Sequence, residues 1–189
     1  SSTFYNVDIS TDTLYVPEGA KAFYEKANVW RDFGTIVEMP WIVPDDIDYV
    51  VFKDVEVERI CLANWDTDGN GILLKEEAAA VTDLGEVFRD NDVIASFDEL
   101  QYFTGIKNIP PGTFVNCHYL TSVQLPNTIS IIGGTAFASC SRLSDINIPE
   151  SVTRIERSAF SHCSQLKNIT FPNSLTFLGS SAFLNCSKI

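Results

Sequence analysis

Hydrophobic positions in the second half of the chain recur every 23 residues. Phe114, Phe137, Phe160 and Phe183 keep that step, as do Leu120, Leu143, Leu166 and Ile189. So do Cys117, Cys140, Cys163 and Cys186, then Val123, Ile146 and Ile169, then Leu125, Ile148 and Phe171, then Ile129, Val152 and Leu175. Pro126, Pro149 and Pro172 punctuate the same period. Such self-similarity predicts a solenoid, because one short unit cannot bury its apolar face alone and must stack on its neighbours. Within a unit, the alternation of Cys163, Leu166, Ile169 and Phe171 predicts a strand. Pro172 ends it, since proline donates nothing to a sheet ladder. Leu175 and Leu178 anchor the next leg, and Ala182-Phe183 begins the return. Residues 94–113 read as a decayed first unit, with Phe97, Leu100, Ile106 and Ile109 in register and Ile94 where the cysteine would stand.

The repeated text, AFASCSRLSDINIPESVTRI followed by AFSHCSQLKNITFPNSLTFL, resembles the BspA-like leucine-rich repeat proteins, a family of bacterial surface proteins. The resemblance covers residues 94–189. It implies an α+β fold built on a leucine-rich-repeat solenoid, a secreted or cell-surface location, and a binding scaffold rather than an enzyme. The partner it implies is a protein on a host or bacterial surface. The stretch TLYVPEGAKAFYEKANVWRDFGTIVEM is similar to the closing unit of such arrays, with a strand ending at Pro17, a helix from about Gly19 to Trp30 and a last extended piece. Residues 1–38 are therefore expected to form a closing unit. Residues 39–49, with Pro40, Pro44 and the acids Asp45, Asp46 and Asp48, are expected to form a linker. A closing unit ahead of an array fits either a piece of a longer chain of arrays or a unit that associates head to tail with its own copies.

A second pattern lies between. Asp66-Thr67-Asp68-Gly69-Asn70-Gly71-Ile72-Leu73-Leu74-Lys75-Glu76-Glu77 fits the EF-hand loop. Asp66, Asp68 and Asn70 fall at the first, third and fifth places and Gly71 makes the sharp turn. Ile72 offers a backbone carbonyl, and Glu77 closes the shell with two oxygens. The predicted ligands of one Ca²⁺ are thus Asp66, Asp68, Asn70, Ile72 and Glu77. Leu74 takes the ninth place, where a polar side chain usually holds a water, so affinity in the weak range of about 10⁻⁴ to 10⁻³ M is expected. Helical spacing of Val57, Ile60, Cys61 and Trp65 precedes the loop, and the Ala-rich run from Glu76 to Val81 follows. CLANWDTDGNGILLKEEAAAV and SFDELQYFTGI look like the helical segment that precedes BspA-like arrays in surface proteins of gut Bacteroidetes. Residues 50–93 are accordingly expected to be a helical calcium-loop cap on the array of residues 94–189.

Composition narrows the partners. With 25 acidic against 13 basic residues the chain carries a formal charge of −12, which argues against a nucleic-acid groove and against anionic lipid. No stretch of it is long and apolar enough to insert in a membrane. The four cysteines of the ladder would stack with parallel Cβ vectors, poor geometry for the disulfide torsion, so free buried thiols are expected. His118 and His162 flank cysteines at turns with no nucleophile beside them. The outward strand positions are Thr121, Ser122 and Gln124, then Ser144, Asp145 and Asn147, then Lys167, Asn168 and Thr170. They form a small polar strip, the candidate ligand-facing surface. The alternative function is a structural spacer or assembling unit with no ligand of its own.

Overall fold

The structure, a computed structural model, describes residues 13–17, 21, 25, 34–39, 48–167 and 169–189. The chain divides into two compact units, Ser1–Ile47 and Asp48–Ile189. In the first, β1 (Thr13–Pro17) pairs in parallel with β2 (Thr35–Met39), Thr13 opposite Thr35 and Pro17 opposite Met39. Parallel neighbours require a crossover, and on it Lys21 and Glu25 are both helical and 3.8 Å apart as an i,i+4 ion pair. The rest of the helix expected from Gly19 to Trp30 lies outside the described residues. So do Pro40, Pro44, Asp45 and Asp46 of the expected linker.

Asp48 and Tyr49, assigned to that linker from sequence, instead open the second unit. Tyr49 bridges Leu74 in antiparallel fashion, with Val50 N–H donating to Leu73 O at 2.8 Å and Lys75 N–H to Asp48 O at 2.9 Å. Helix α1 (Val55–Trp65) follows and buries Val57, Ile60 and Cys61, one apolar face at i, i+3, i+4. Helix α2 (Lys75–Ala80) is a short turn-and-a-half that buries Glu77 and Ala78.

The remainder winds through very short parallel strands. They are β3 (Ser96–Phe97), β4 (Asn108–Ile109), β5 (Ser122–Val123), β6 (Ile131–Ile132), β7 (Asp145–Ile146), β8 (Arg154–Ile155) and β9 (Phe177–Leu178). Strands β3-β5-β7 form one sheet and β4-β6-β8-β9 another. The single longer strand expected in each unit therefore shrinks to two residues, and a second strand follows the proline. Pro126 and Pro149 end the first leg, and a coil this short must turn too often to keep a long one. Asn108 pairs with Ile131, Ile131 with Arg154 and Arg154 with Phe177, each step 23 residues.

Stacking makes the core. The rings of Phe88, Phe114, Phe137, Phe160 and Phe183 succeed one another at centroid distances of 5.3, 5.1, 5.2 and 5.1 Å. That rise matches the spacing of neighbouring strands, about 4.8 Å. Each buried phenylalanine is worth roughly 1.5–3 kcal/mol by area alone. Beside the rings the cysteines are buried and free, as expected, and each thiol donates to the carbonyl of the phenylalanine one coil earlier. Those distances are 3.0 Å to Phe88, 3.0 Å to Phe114, 3.1 Å to Phe137 and 3.0 Å to Phe160. Burial pushes every one of these thiols up, Cys117 to about 12.

The first coil departs from the register read off the sequence. Ser96 pairs with Ser122 and Phe97 with Val123, a step of 26, whereas Asn108 pairs with Ile131 at a step of 23. The extra three residues fall in the 3-10 turn Asp98–Tyr102. Counting back by 26, Ile94 takes the place of Leu120 and Asn91, not Ile94, stands where the cysteine would be. Phe88, within the segment expected to be a separate cap, is the first ring of the stack. Helix α1, the loop and the coils consequently share one hydrophobic core.

Candidate metal centre and binding strip

Asp54 joins the helical segment to the first coil. Its Oδ1 accepts from Glu56 N–H at 2.9 Å and Val57 N–H at 3.2 Å, capping α1. Its Oδ2 accepts from Ala95 N–H at 2.6 Å and Ser96 N–H at 3.2 Å, at the start of β3. An aspartate directly before a helix reads as an N-cap from sequence. Nothing in the sequence pointed to its bonds with a strand 41 residues away.

Between α1 and α2 the loop folds around its own carboxylates. Asp66 Oδ1 accepts from Gly69 N–H at 2.9 Å and Asn70 N–H at 3.2 Å, and Oδ2 from Gly71 N–H at 2.9 Å. Gly69 and Gly71 hold φ of 71° and 83°, the left-handed region open to glycine, which lets these amides converge. Asp68 accepts from the Asn70 backbone N–H at 3.0 Å and from its side-chain amide at 2.8 Å. Asn70 Oδ1 in turn accepts from Ile72 N–H at 2.9 Å. Leu73 is fully buried in the shared core and pins the far side of the loop.

Glu77 closes the circle from α2. Its Oε1 accepts from the Thr67 hydroxyl at 2.6 Å and the Thr67 N–H at 2.7 Å, and its Oε2 from Leu74 N–H at 3.0 Å. Burial alone would push this carboxyl up. The Thr67 hydroxyl and the N–H groups of Leu74, Thr67 and Asp68 outweigh it and hold the group below its ordinary value. Thr67 was not among the residues singled out by sequence, since the loop pattern leaves its second place open.

The structure brings Asp66, Asp68 and Glu77 together, with one carboxylate oxygen of each within 4.8 Å of the others. Oxygens bound at about 2.3–2.6 Å to one ion stand at most roughly 4.6–5.2 Å apart, so the donor set matches the span of a calcium shell. Asn70 and Ile72 lie in the same loop, tied to each other and to Asp68. All-oxygen donors with three carboxylates suit a hard divalent cation.

The strip expected on the three-stranded sheet is partly spent on holding coils together. The Thr121 hydroxyl donates to Ala95 O at 2.7 Å and the Ser144 hydroxyl to Thr121 O at 3.4 Å. Asn147 works as a backbone clamp, its Oδ1 accepting from Leu125 N–H at 2.6 Å and its Nδ2 donating to Leu125 O at 3.1 Å. Ser122 and Gln124 are half-buried, while Asp145, Lys167 and Thr170 are exposed; Asn168 lies outside the described residues. His118 Nδ1 sits 2.7 Å from Asp92 Oδ1, and His162 Nδ1 sits 3.3 Å from the Asn185 amide.

Short parallel strands, laddered rings and laddered thiols define a leucine-rich-repeat type of protein. Residues 92–189 match the BspA type leucine rich repeat region in six copies, and the chain belongs to that family. A leucine-rich repeat protein from Bacteroides ovatus is 37% identical over 45% of this chain and 24% of its own, with a TM-score of 0.41. A T. pallidum leucine rich repeat protein is 26% identical over 43% of this chain and 49% of its own, with a TM-score of 0.39. A leucine rich cell surface protein from Faecalibacterium prausnitzii is 21% identical over 96% of this chain and 41% of its own, with a TM-score of 0.46. The chain thus spans less than half the length of each of these structures. No curated protein matches it. Among the described residues no helix is long and apolar enough to cross a membrane.

Proposed function

We propose that this chain is a secreted or surface-exposed protein-binding scaffold, a solenoid of 23-residue coils whose first coil is closed by a calcium-fixed segment. The observation that carries the calcium reading is the convergence of Asp66, Asp68 and Glu77 from both ends of one loop. The loop is also wired into the array. Its eighth and ninth residues bridge Tyr49 and Val50, and α1 is tied through Asp54 to Ala95 and Ser96. In this reading Asp66, Asp68, Asn70, Glu77 and the Ile72 carbonyl hold the ion. Bound calcium supplies positive charge that offsets three clustered carboxylates, and the role is structural.

Calorimetric titration of chelator-stripped protein with Ca²⁺, followed by thermal unfolding, tests it. One-site binding and a raised Tm are expected in the wild type, with both lost in Glu77→Gln. Equal Tm with calcium and with chelator would reduce the loop to a polar turn. The scaffold role draws on membership of the repeat family and on the extended faces that stacked coils present.

A further inference from the structure

The sequence holds two histidines, and the coils bring both to one groove. It is an open groove of about 400 Å³, lined by His118, Ser139, Ser141, His162, Ser164 and Asn185. Two columns frame it on either side of the buried cysteines. His118, Ser141 and Ser164 follow Cys117, Cys140 and Cys163, while Ser139 and His162 precede Cys140 and Cys163. The imidazoles, both exposed, are therefore two coils and one column apart. Rings Phe114, Phe137 and Phe160 stack at 5.1 and 5.2 Å, so two coils rise about 10 Å, and a sideways step of two residues adds at most about 7 Å. The two Cα atoms consequently lie about 12 Å apart or less. An imidazole holds a metal about 2.0–2.1 Å from Nε2 and so roughly 6.5 Å from its own Cα, which lets two facing imidazoles span about 13 Å.

The partners of the two rings suit a cation. His118 Nδ1 sits 2.7 Å from Asp92 Oδ1, and a carboxylate only accepts, so the ring proton faces Asp92 and Nε2 keeps its lone pair. That carboxylate–histidine pair is the usual support of a metal-binding imidazole, and its negative charge disfavours an anion in the groove. His162 Nδ1 lies 3.3 Å from the Asn185 amide, whose oxygen, once the amide is turned over, accepts from Nδ1 and frees Nε2 in the same way. The hydroxyls of Ser141 and Ser164 spend their protons on His118 O and Ser141 O. Toward the groove they can only accept, which is what a metal-bound water, a donor, requires. We propose that His118 and His162 together bind one divalent transition-metal ion of the Zn²⁺ class through their Nε2 atoms. Imidazole donors select such ions over Ca²⁺. Among the described residues no third His, Cys, Asp or Glu converges with the pair, so water fills the remaining positions. The site is separate from the acidic loop and independent of the calcium and scaffold readings.

Calorimetric titration of the chelator-stripped full chain with Zn²⁺, in saturating Ca²⁺ to fill the loop, tests it. One ion per chain is expected. Its affinity falls at least tenfold in His118→Ala and in His162→Ala and about tenfold in Asp92→Asn, each variant confirmed as folded by its melting curve. Co²⁺ used in place of Zn²⁺ is expected to show ligand-field absorption without the charge-transfer band of a thiolate ligand. Two ions per chain in the wild type and one in each histidine variant would mean separate sites and overturn the pairing. So would an affinity within twofold of wild type in either histidine variant. Zn²⁺ binding lost in Glu77→Gln would assign the ion to the loop, and a wild type that binds no Zn²⁺ would overturn the proposal outright.

Discussion

Removing the Asp54 carboxylate tests how the helical segment is held to the array. In Asp54→Ala, α1 loses its N-cap, worth about 0.5–2 kcal/mol. Ala95 and Ser96 lose a charged acceptor, and hydrogen bonds to charged groups are worth about 1.5–3 kcal/mol each. Ala95 is exposed and Ser96 half-buried, so water replaces part of the strand contribution. The expected total is roughly 2–4 kcal/mol, a large share of the 5–15 kcal/mol typical of a folded domain. Asp54→Asn separates the two halves. Its amide oxygen still accepts from Glu56 and Val57, but its NH₂ faces the donors of Ala95 and Ser96, so about half the loss is expected to remain. Urea unfolding followed by circular dichroism gives the totals. Hydrogen-exchange mass spectrometry locates them, with protection falling first in residues 94–97 of both variants. An Asp54→Ala protein within about 0.5 kcal/mol of wild type, or an Asp54→Asn protein indistinguishable from it, would refute the reasoning.

Alkaline pH is expected to weaken the fold. The Cys117 thiol titrates near 12 in the folded state, and its neighbours in the ladder are also raised, against about 8.5 when unfolded. Between those values the unfolded chain has lost protons that the folded chain keeps. Stability therefore falls as pH rises above about 8.5, by up to roughly 1.4 kcal/mol per pH unit for each buried thiol. Tm measured from pH 7.5 to 10.5 should drop, and Cys140→Ala should flatten the slope while lowering stability throughout. Gly133→Ala should destabilise by about 1–3 kcal/mol in urea titrations, because a methyl there would come within 2.7 Å of Ile109 O and Pro111 N.

Much of the array was legible because a stacked repeat writes its core as a period. The period alone places Phe114 to Phe183 in one column and Cys117 to Cys186 in another, and the structure stacks the rings and buries the thiols. The acidic loop was legible for a similar reason, since its oxygens come from one short segment. What failed depends on partners distant in sequence. The insertion at Asp98–Tyr102 shifts everything before it by three residues, so a fixed step of 23 assigns Ile94 to the wrong rung. The second sheet was hidden because Ile131-Ile132 and Arg154-Ile155 are too short to alternate. Asn147 and the Thr121 hydroxyl looked free to meet a ligand, and only the preceding coil reveals that its backbone already engages them.

Three columns of hydroxyls share one direction. Thr128, Ser151 and Ser174 donate to Ile106, Ile129 and Val152; Ser130, Thr153 and Thr176 donate to Lys107, Ser130 and Thr153; Ser141, Ser164 and Ser187 donate to His118, Ser141 and Ser164. Every donor reaches toward the coil before it and meets a backbone carbonyl there, so these fastenings arrive with the later coil. A duplicated coil of 23 residues would arrive with all three fasteners and find carbonyls waiting. Such a molecule can grow or shrink in whole coils without redesign of the seam, whereas an insertion of any other length must, like the turn at Asp98–Tyr102, be absorbed at a corner.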